Sequence, residues 1–318
     1  MRVLVLGVAF TDIKGFPFGI YDPVGTNKGD VKLTHGGVAR NVAEDLARLG
    51  AKVVFPLPVD ETPLGRDMKS RLEEAGVDMS EAISVPDGGA GMWLAVFNER
   101  GDLAGSISKM PDVTPIYKKL IQDGDRLFEG CDAAVAEFDT SCEIAEQTVL
   151  LAETYHKDLY CMVGNMSVML ARKELLGRTR CVIMNEIEAG KLFGSDVKSL
   201  SPADTQTFVW AAGRNLGLRA IIVTMGAKGA VYADFETGES GIAPPAPCEV
   251  VDTTGAGDAF NGGFAAAIAN GADIRSAMRF ANCVGALSVT KKGTSPAMPS
   301  EDEIYALYEK EYCEKVPF

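Results

Sequence analysis

Short apolar runs recur along this chain with helix-like stretches between them, and that alternation fixes most of what it can fold into. Residues 3 to 10 are apolar, and strand-like runs follow at "KVVFPL", "AAVAEF", "LYCMV", "CVIMN" and "AIIVTMG". Helical stretches such as 141 to 156 and 203 to 217 separate them. A strand that feeds a helix returns to a parallel neighbour, so the expected fold is α/β, a doubly wound, mostly parallel sheet flanked by helices. Local signals agree. Val38, Val42, Leu46 and Leu49 recur at helical spacing and stop at Gly50, a good helix terminator. Thr62 ahead of Pro63 marks another helix start, running to Gly76.

Two segments break the alternation. Residues 14 to 34 are rich in Gly, Pro and Asp, and residues 90 to 108 read as two strands joined at "NERGD". Together they are expected to form a small β lid inserted within a single domain spanning 1 to 318; a decorated edge of the main sheet is the other reading. Such an appendage serves as a cover over a site or as the surface of a homodimer. The C-terminal third reads as helices at 257 to 271, 273 to 290 and 300 to 313, with Ile274, Ala277, Ala281 and Val284 on one stripe.

Bulk properties exclude several functions. A formal charge of −13 argues against a surface that neutralises nucleic-acid phosphates or sits on an anionic membrane. No apolar stretch approaches the roughly 18 to 20 residues needed to cross a bilayer. Seven scattered cysteines, an odd number with no Cys-x-x-Cys pair, read as reduced thiols in a cytoplasmic protein. With His35 and His156 as the only histidines, a histidine-rich metal site or a Ser-His-Asp triad is not expected.

The chemistry concentrates at 250 to 264, "VVDTTGAGDAFNGGF". "EVV" reads as the end of a strand, "DTTGAG" as a turn, and Asp258 as a residue in the first turn of the following helix. Glycines at 255 and 257 let the backbone turn tightly and let a ligand approach it. Backbone N–H groups of Gly255, Ala256 and Gly257 then form an anion cradle at the positive end of the helix dipole. A carboxylate beside such a cradle suits phosphoryl transfer, with Asp258 accepting a hydroxyl proton. Taken alone, Asp258 could equally complement the dipole, but a plain cap needs neither two glycines nor two threonines. "GAGDAF" fails the last position of G-x-G-x-x-G, and there is no G-x-x-x-x-G-K-[ST] loop.

"DTTGAGDAFNGGF" resembles the C-terminal signature of the PfkB or ribokinase family of sugar and nucleoside kinases, and "GGVARNVAEDLARLG" at 36 to 50 resembles its glycine- and asparagine-bearing signature. The resemblance covers essentially the whole chain and implies a ribokinase-like fold, ATP as phosphoryl donor and Mg2+ as its companion. It implies that Asp258 is the base and that Gly255, Ala256 and Gly257 form the anion hole. Asp12, Gly37 and Asn41 fall where relatives hold the sugar hydroxyls. Asn185 and Glu188 resemble an N-x-x-E element that organises magnesium and its waters. Thr224 and Gly226 resemble the nucleotide-contacting turn, and Asn282 a residue of the adenine pocket. Asp252 and Thr254, with Ser288 and Gly293, occupy the positions of a monovalent-cation loop, from which Ala297 departs because a serine often stands there.

Within the family, "TDIKG", "GGVARN" and "AEDLARLG" look most like pseudouridine kinases, which implies transfer to the primary 5′-hydroxyl of a C-nucleoside. On that reading Lys14, Asn27 and Asp30 are the candidates to read the base edge. Two stretches depart from it. "VGNMSV" stands where those kinases carry an Asp-Pro-Val-Ser-like segment, and "AEFDTS" is closer to ribokinase-like members, so Glu137 becomes a candidate sugar ligand. A kinase of a free sugar, such as ribose or fructose, and a non-catalytic nucleoside or sugar sensor are the alternatives.

Overall fold

Arg2–Leu6 (β1) is the pivot of the main sheet in the computed structural model, which describes residues 1–164, 166–291 and 298–317. Along β1 the side chains alternate between two cores, Val3 and Val5 entering one and Leu4 and Leu6 the other. Both faces of the strand are therefore covered, as a parallel sheet requires.

From β1 the chain enters Phe10–Pro17 (β2) and Gly29–Gly36 (β3), then Val38–Arg48 (α1), Lys52–Val54 (β4) and Pro58–Asp60 (β5). Pro63–Glu74 (α2), Ile83–Val85 (β6), Gly91–Phe97 (β7) and Leu103–Lys109 (β8) come next. The central part runs through Thr114–Glu129 (α3), Ala133–Glu137 (β9), Cys142–Thr154 (α4), Asp158–Met162 (β10) and Ser167–Ala171 (α5). Cys181–Asn185 (β11), Glu186–Phe193 (α6), Pro202–Leu216 (α7), Ala220–Thr224 (β12), Ala230–Asp234 (β13) and Glu239–Ala243 (β14) complete the sheet. Ala256–Ala269 (α8), Ile274–Ser288 (α9) and Glu301–Tyr312 (α10) close the chain.

The eight-stranded sheet has the order β14-β13-β12-β11-β10-β9-β1-β4, parallel from β4 through β12, while β13 runs antiparallel to both of its neighbours, β12 and β14. The chain leaves β1 for β4 on one side and returns to β9 on the other, so a topological switch point lies between β1 and β9, where a crevice opens at the strand C-termini. The helix ends follow their caps: Thr62 Oγ1 accepts from Gly65 N–H at 3.2 Å at the start of α2, and Gly50 takes the positive φ that follows α1.

The segments that break the alternation form a separate four-stranded sheet of order β3-β2-β7-β8, with strands that begin at Phe10 and reach Gly36 and Lys109. Residues 249 to 251 are not a strand. Val250 and Val251 are exposed, and the N–H groups of Val251 and Asp252 donate to Val289 O at 2.8 and 3.1 Å, so the end of α9 has taken the place of a partner strand. The β13–β14 hairpin escaped the periodicity reading because its Thr237–Gly238 turn, with Gly238 at φ 76°, sits beyond the last strand–helix alternation. All seven cysteines are free, four of them buried.

Candidate active site

Gly255 caps α8 in the left-handed conformation (φ 80°), which turns the chain so that Asp258 falls in the first helical turn. A side chain at Gly257 would meet nothing within 4 Å, so the helix N-terminus opens on free space. The Ala256 N–H lies 3.3 Å from Thr253 O, a long bond that a stronger acceptor could displace. On the other side of the carboxylate, Asn41 Nδ2 donates to Asp258 Oδ2 at 2.7 Å. Asp258 titrates at about 6, above the ordinary carboxylate range. Withdrawal from water is the largest cause, the Asn41 bond opposes it, and the Glu188 charge adds to it.

The small residues after Asp258 explain how these groups meet. A Cβ on Gly262 would lie 2.6 Å from Asp45 Cβ on α1, and one on Gly263 would lie 2.8 Å from Val284 Cγ2 on α9. Three helices thus pack closely around Asp258. Gly37, at φ 101°, starts α1 hard against β1's outlet, where a Cβ would meet Val8 O at 2.8 Å.

Helical spacing selected the apolar stripe of α1, but Arg40, Asn41, Glu44 and Asp45 are buried as well. Asp45 is held well above its usual range, first by burial and then by the neighbouring Asp258 and Glu44. The pattern missed it because a polar residue on a helix is by default assigned to the solvent face.

Glu137, at the end of β9, is buried and accepts from Ala39 N–H at 3.4 Å. Burial lifts it to about 7, its backbone hydrogen bonds to Ala39 and Val8 lower it, and the Asp258 and Asp139 charges raise it further. Gly164 is a glycine because a Cβ there would run into this carboxylate. Asp12 and Lys14 stand on one face of β2 and form an ion pair at 3.1 Å. Trp93 pairs with Asp12 across β2–β7, and the Lys14 ammonium lies 5.7 Å from its ring centroid. Asn27 and Asp30 are not brought to this point. Asn27 Oδ1 accepts from Asp22 N–H at 2.9 Å and its Nδ2 donates to Asp22 O at 2.8 Å, so its amide closes the exposed tip of the hairpin. Asp30 pairs with Phe16, four residues tipward of the Asp12–Thr34 pair, and faces Lys32 at 3.9 Å.

The C-terminal ends of β11 and β12 set Asn185 opposite Thr224. Asn185 and Glu188 form a capping box on α6. Asn185 Oδ1 accepts from the N–H groups of Ile187 and Glu188 at 2.9 Å each, and Glu188 Oε2 accepts from Asn185 N–H at 2.7 Å. Glu188 is raised by burial and by the Asp139 charge. Gly226 opens a turn at φ 54°, and the Asn282 amide donates to Pro244 O.

Among the described residues no three His, Cys, Asp or Glu side chains cluster to cage a metal. The part-buried Glu188 carboxylate, with the Asp139 charge near it, fits a magnesium ion held through water and phosphate oxygens rather than by protein ligands alone. Asp252 Oδ1 accepts from Thr254 N–H at 2.9 Å, and Ser288 Oγ donates to Gly285 O at 2.8 Å within its helix. Gly293 and Ala297 lie outside the described residues.

The protein-family profile described as pfkB family carbohydrate kinase matches residues 1–301. A guanosine-inosine kinase of Exiguobacterium acetylicum is 31% identical over 299 residues, covering 93% of this chain and 98% of that protein. A pseudouridine kinase of Escherichia coli (strain K12) is 25% identical over 313 residues, covering 98% and 97%. The structure of Arabidopsis thaliana ribokinase complexed with ribose and ATP superposes with a TM-score of 0.82 at 22% identity, covering 97% of this chain and 98% of that one, which establishes the ribokinase fold. The chain belongs to the pfkB family of carbohydrate kinases, phosphotransferases that act on the hydroxyl groups of sugars or nucleosides.

Proposed function

We propose that this protein transfers the γ-phosphoryl group of ATP to the primary hydroxyl of a nucleoside, with Asp258 as general base. The observation that carries this reading is the Asn41–Asp258 pair beside the unobstructed N-terminus of α8. A carboxyl that titrates near 6 is mostly ionised at neutral pH yet basic enough to take a hydroxyl proton. The amides of Gly255, Ala256 and Gly257 would meet the charge spread over the transferred group. The acceptor lies between Asp12, Gly37, Asn41 and Glu137 beneath the lid, and ATP lies along Asn185, Thr224, Gly226 and Asn282. Glu188 would hold magnesium through water, and the ion would neutralise the phosphates when bound. Lid closure excludes the water that would otherwise hydrolyse ATP.

Trp93 favours a nucleoside over a free sugar. An indole beside the Asp12–Lys14 pair offers a flat face on which a base can stack, and a bare pentose has no ring to place there. The motif resemblance points to pseudouridine, the more similar of the two named relatives to guanosine and inosine. A coupled assay of ADP release with ATP and magnesium, run with pseudouridine, uridine, guanosine, inosine, ribose and fructose, tests the reading. A nucleoside should give the highest kcat/KM; preference for ribose or fructose would overturn the acceptor class, and binding without ADP release would favour the sensor.

The outer face of the lid supports a homodimer. Leu33, Ile13, Leu94 and Ile107 form one cross-strand apolar row, with Leu33, Leu94 and Ile107 exposed. Ile107→Asp should convert a dimer to a monomer in sedimentation velocity; a wild-type monomer would refute this assembly.

A further inference from the structure

We propose that Arg40 is a positioning residue of the phosphoryl-transfer site, fixing the Asn41 amide so that its NH2 edge faces Asp258. The proposal rests on the reading of Asp258 as the base.

Arg40 Nη1 donates to Asn41 Oδ1 at 3.1 Å, while Asn41 Nδ2 donates to Asp258. The two ends of a primary amide have nearly the same shape but opposite hydrogen-bonding character. Turned over, Asn41 would present its oxygen to a carboxylate and its NH2 to a guanidinium, an unfavourable contact at both ends. Arg40 therefore makes one orientation of the amide much better than the other. A residue with no charge at position 40 would leave only Asp258 to choose.

The guanidinium is itself held. Its other arm pairs with Glu44, and Glu44 Oε1 accepts from Arg48 Nε and Nη2 at 2.9 and 2.7 Å. Arg40, Glu44 and Arg48 are spaced four apart and form a ladder along one side of α1, from the half-exposed Arg48 to the buried Arg40. A rigid fork with two separated donors suits this place, since one arm must reach Glu44 and the other Asn41. Burying such a pair is not a general route to stability, and a role in the site accounts for its presence; Asp45 on α1, Arg71 on α2 and His35 on β3 are the other titratable groups near the guanidinium. The charged groups that face Asp258 from neighbouring elements are Asp45 on α1, Glu137 on β9 and Glu188 on α6, all acidic. The oriented Asn41 donor works against all three.

Two variants test this. Arg40→Met removes the fork, and Arg40→Met/Glu44→Met also removes the carboxylate that would be left buried, so loss of folding in the first does not end the test. In protein labelled with carboxyl-13C aspartate, the Asp258 signal is identified by its absence from Asp258→Asn, and it should titrate near 6 in the wild type. It should titrate about one pH unit higher in the double variant, because the donor that favours the ionised form is no longer held in place. With pseudouridine or guanosine as acceptor, kcat should fall about tenfold at pH 5 and about twofold at pH 7, with KM changed less than threefold, and Arg40→Met should have no further effect in the Asp258→Asn background. An unmoved Asp258 titration, or equal losses in both backgrounds, would overturn the proposal. If instead Asp258→Asn keeps its turnover while the titration shifts as stated, positioning stands and the base reading falls.

Discussion

Asn41 and Asp258, 217 residues apart in sequence, meet through a 2.7 Å hydrogen bond that joins the first turn of α1 to the first turn of α8. Both helices start at glycines with positive φ, and both starts open on the crevice at the switch point of the sheet. The contact therefore ties the part of the crevice that follows β1 to the part that would receive phosphates.

The pH dependence of turnover follows from this contact. As the proposed base Asp258 would work ionised, and its value lies above the ordinary carboxylate range, so kcat/KM should fall tenfold per unit as pH drops below about 6. Asn41→Ala removes a donor that stabilises the ionised form, so the acid limb should move to higher pH. A wild-type limb near 4 would contradict this assignment.

Trp93→Ala should raise KM for a nucleoside about tenfold, since stacking on an aromatic contributes roughly 1–3 kcal/mol per base. Turnover of free ribose, if measurable, should be unchanged. Equal effects on both acceptors would mean that Trp93 shapes the lid instead.

Gly257→Ala separates the anion cradle from the fold. A methyl there meets no protein atom, and alanine favours a helix by about 0.5–1 kcal/mol over glycine, so the urea midpoint should hold or rise. The same methyl projects into the space assigned to the transferred phosphate, so kcat/KM for ATP should fall at least tenfold.

Gly262→Val should do the reverse. The added side chain collides with Asp45 on α1, and overpacking of this kind costs about 1–3 kcal/mol. The urea midpoint should drop, and activity should drop with it because Asn41 moves with α1.

The mostly parallel sheet was legible because its buried strands are short apolar runs and helix ends such as those at Thr62 and Gly50 carry local signals. The motif around Asp258 was legible because glycine spacing before a helix is a local signal. What periodicity could not reveal is a polar face turned inward. Arg40 and Asp45 look like solvent-facing residues, yet both are buried, Asp45 against Gly262 of α8. Asn27 was opaque for the opposite reason, since a loop asparagine can satisfy its own hairpin, and here it does. Trp93 carried no motif at all; only the register of β2 with β7 sets it beside Asp12.

The most direct test of the central claim is the turnover of Asp258→Asn with ATP, magnesium and the preferred nucleoside. The variant should fold, bind both substrates with near-normal affinity, and lose two to four orders of magnitude in kcat, the usual range for a missing general base. Near-normal turnover in a folded Asp258→Asn protein would contradict the account.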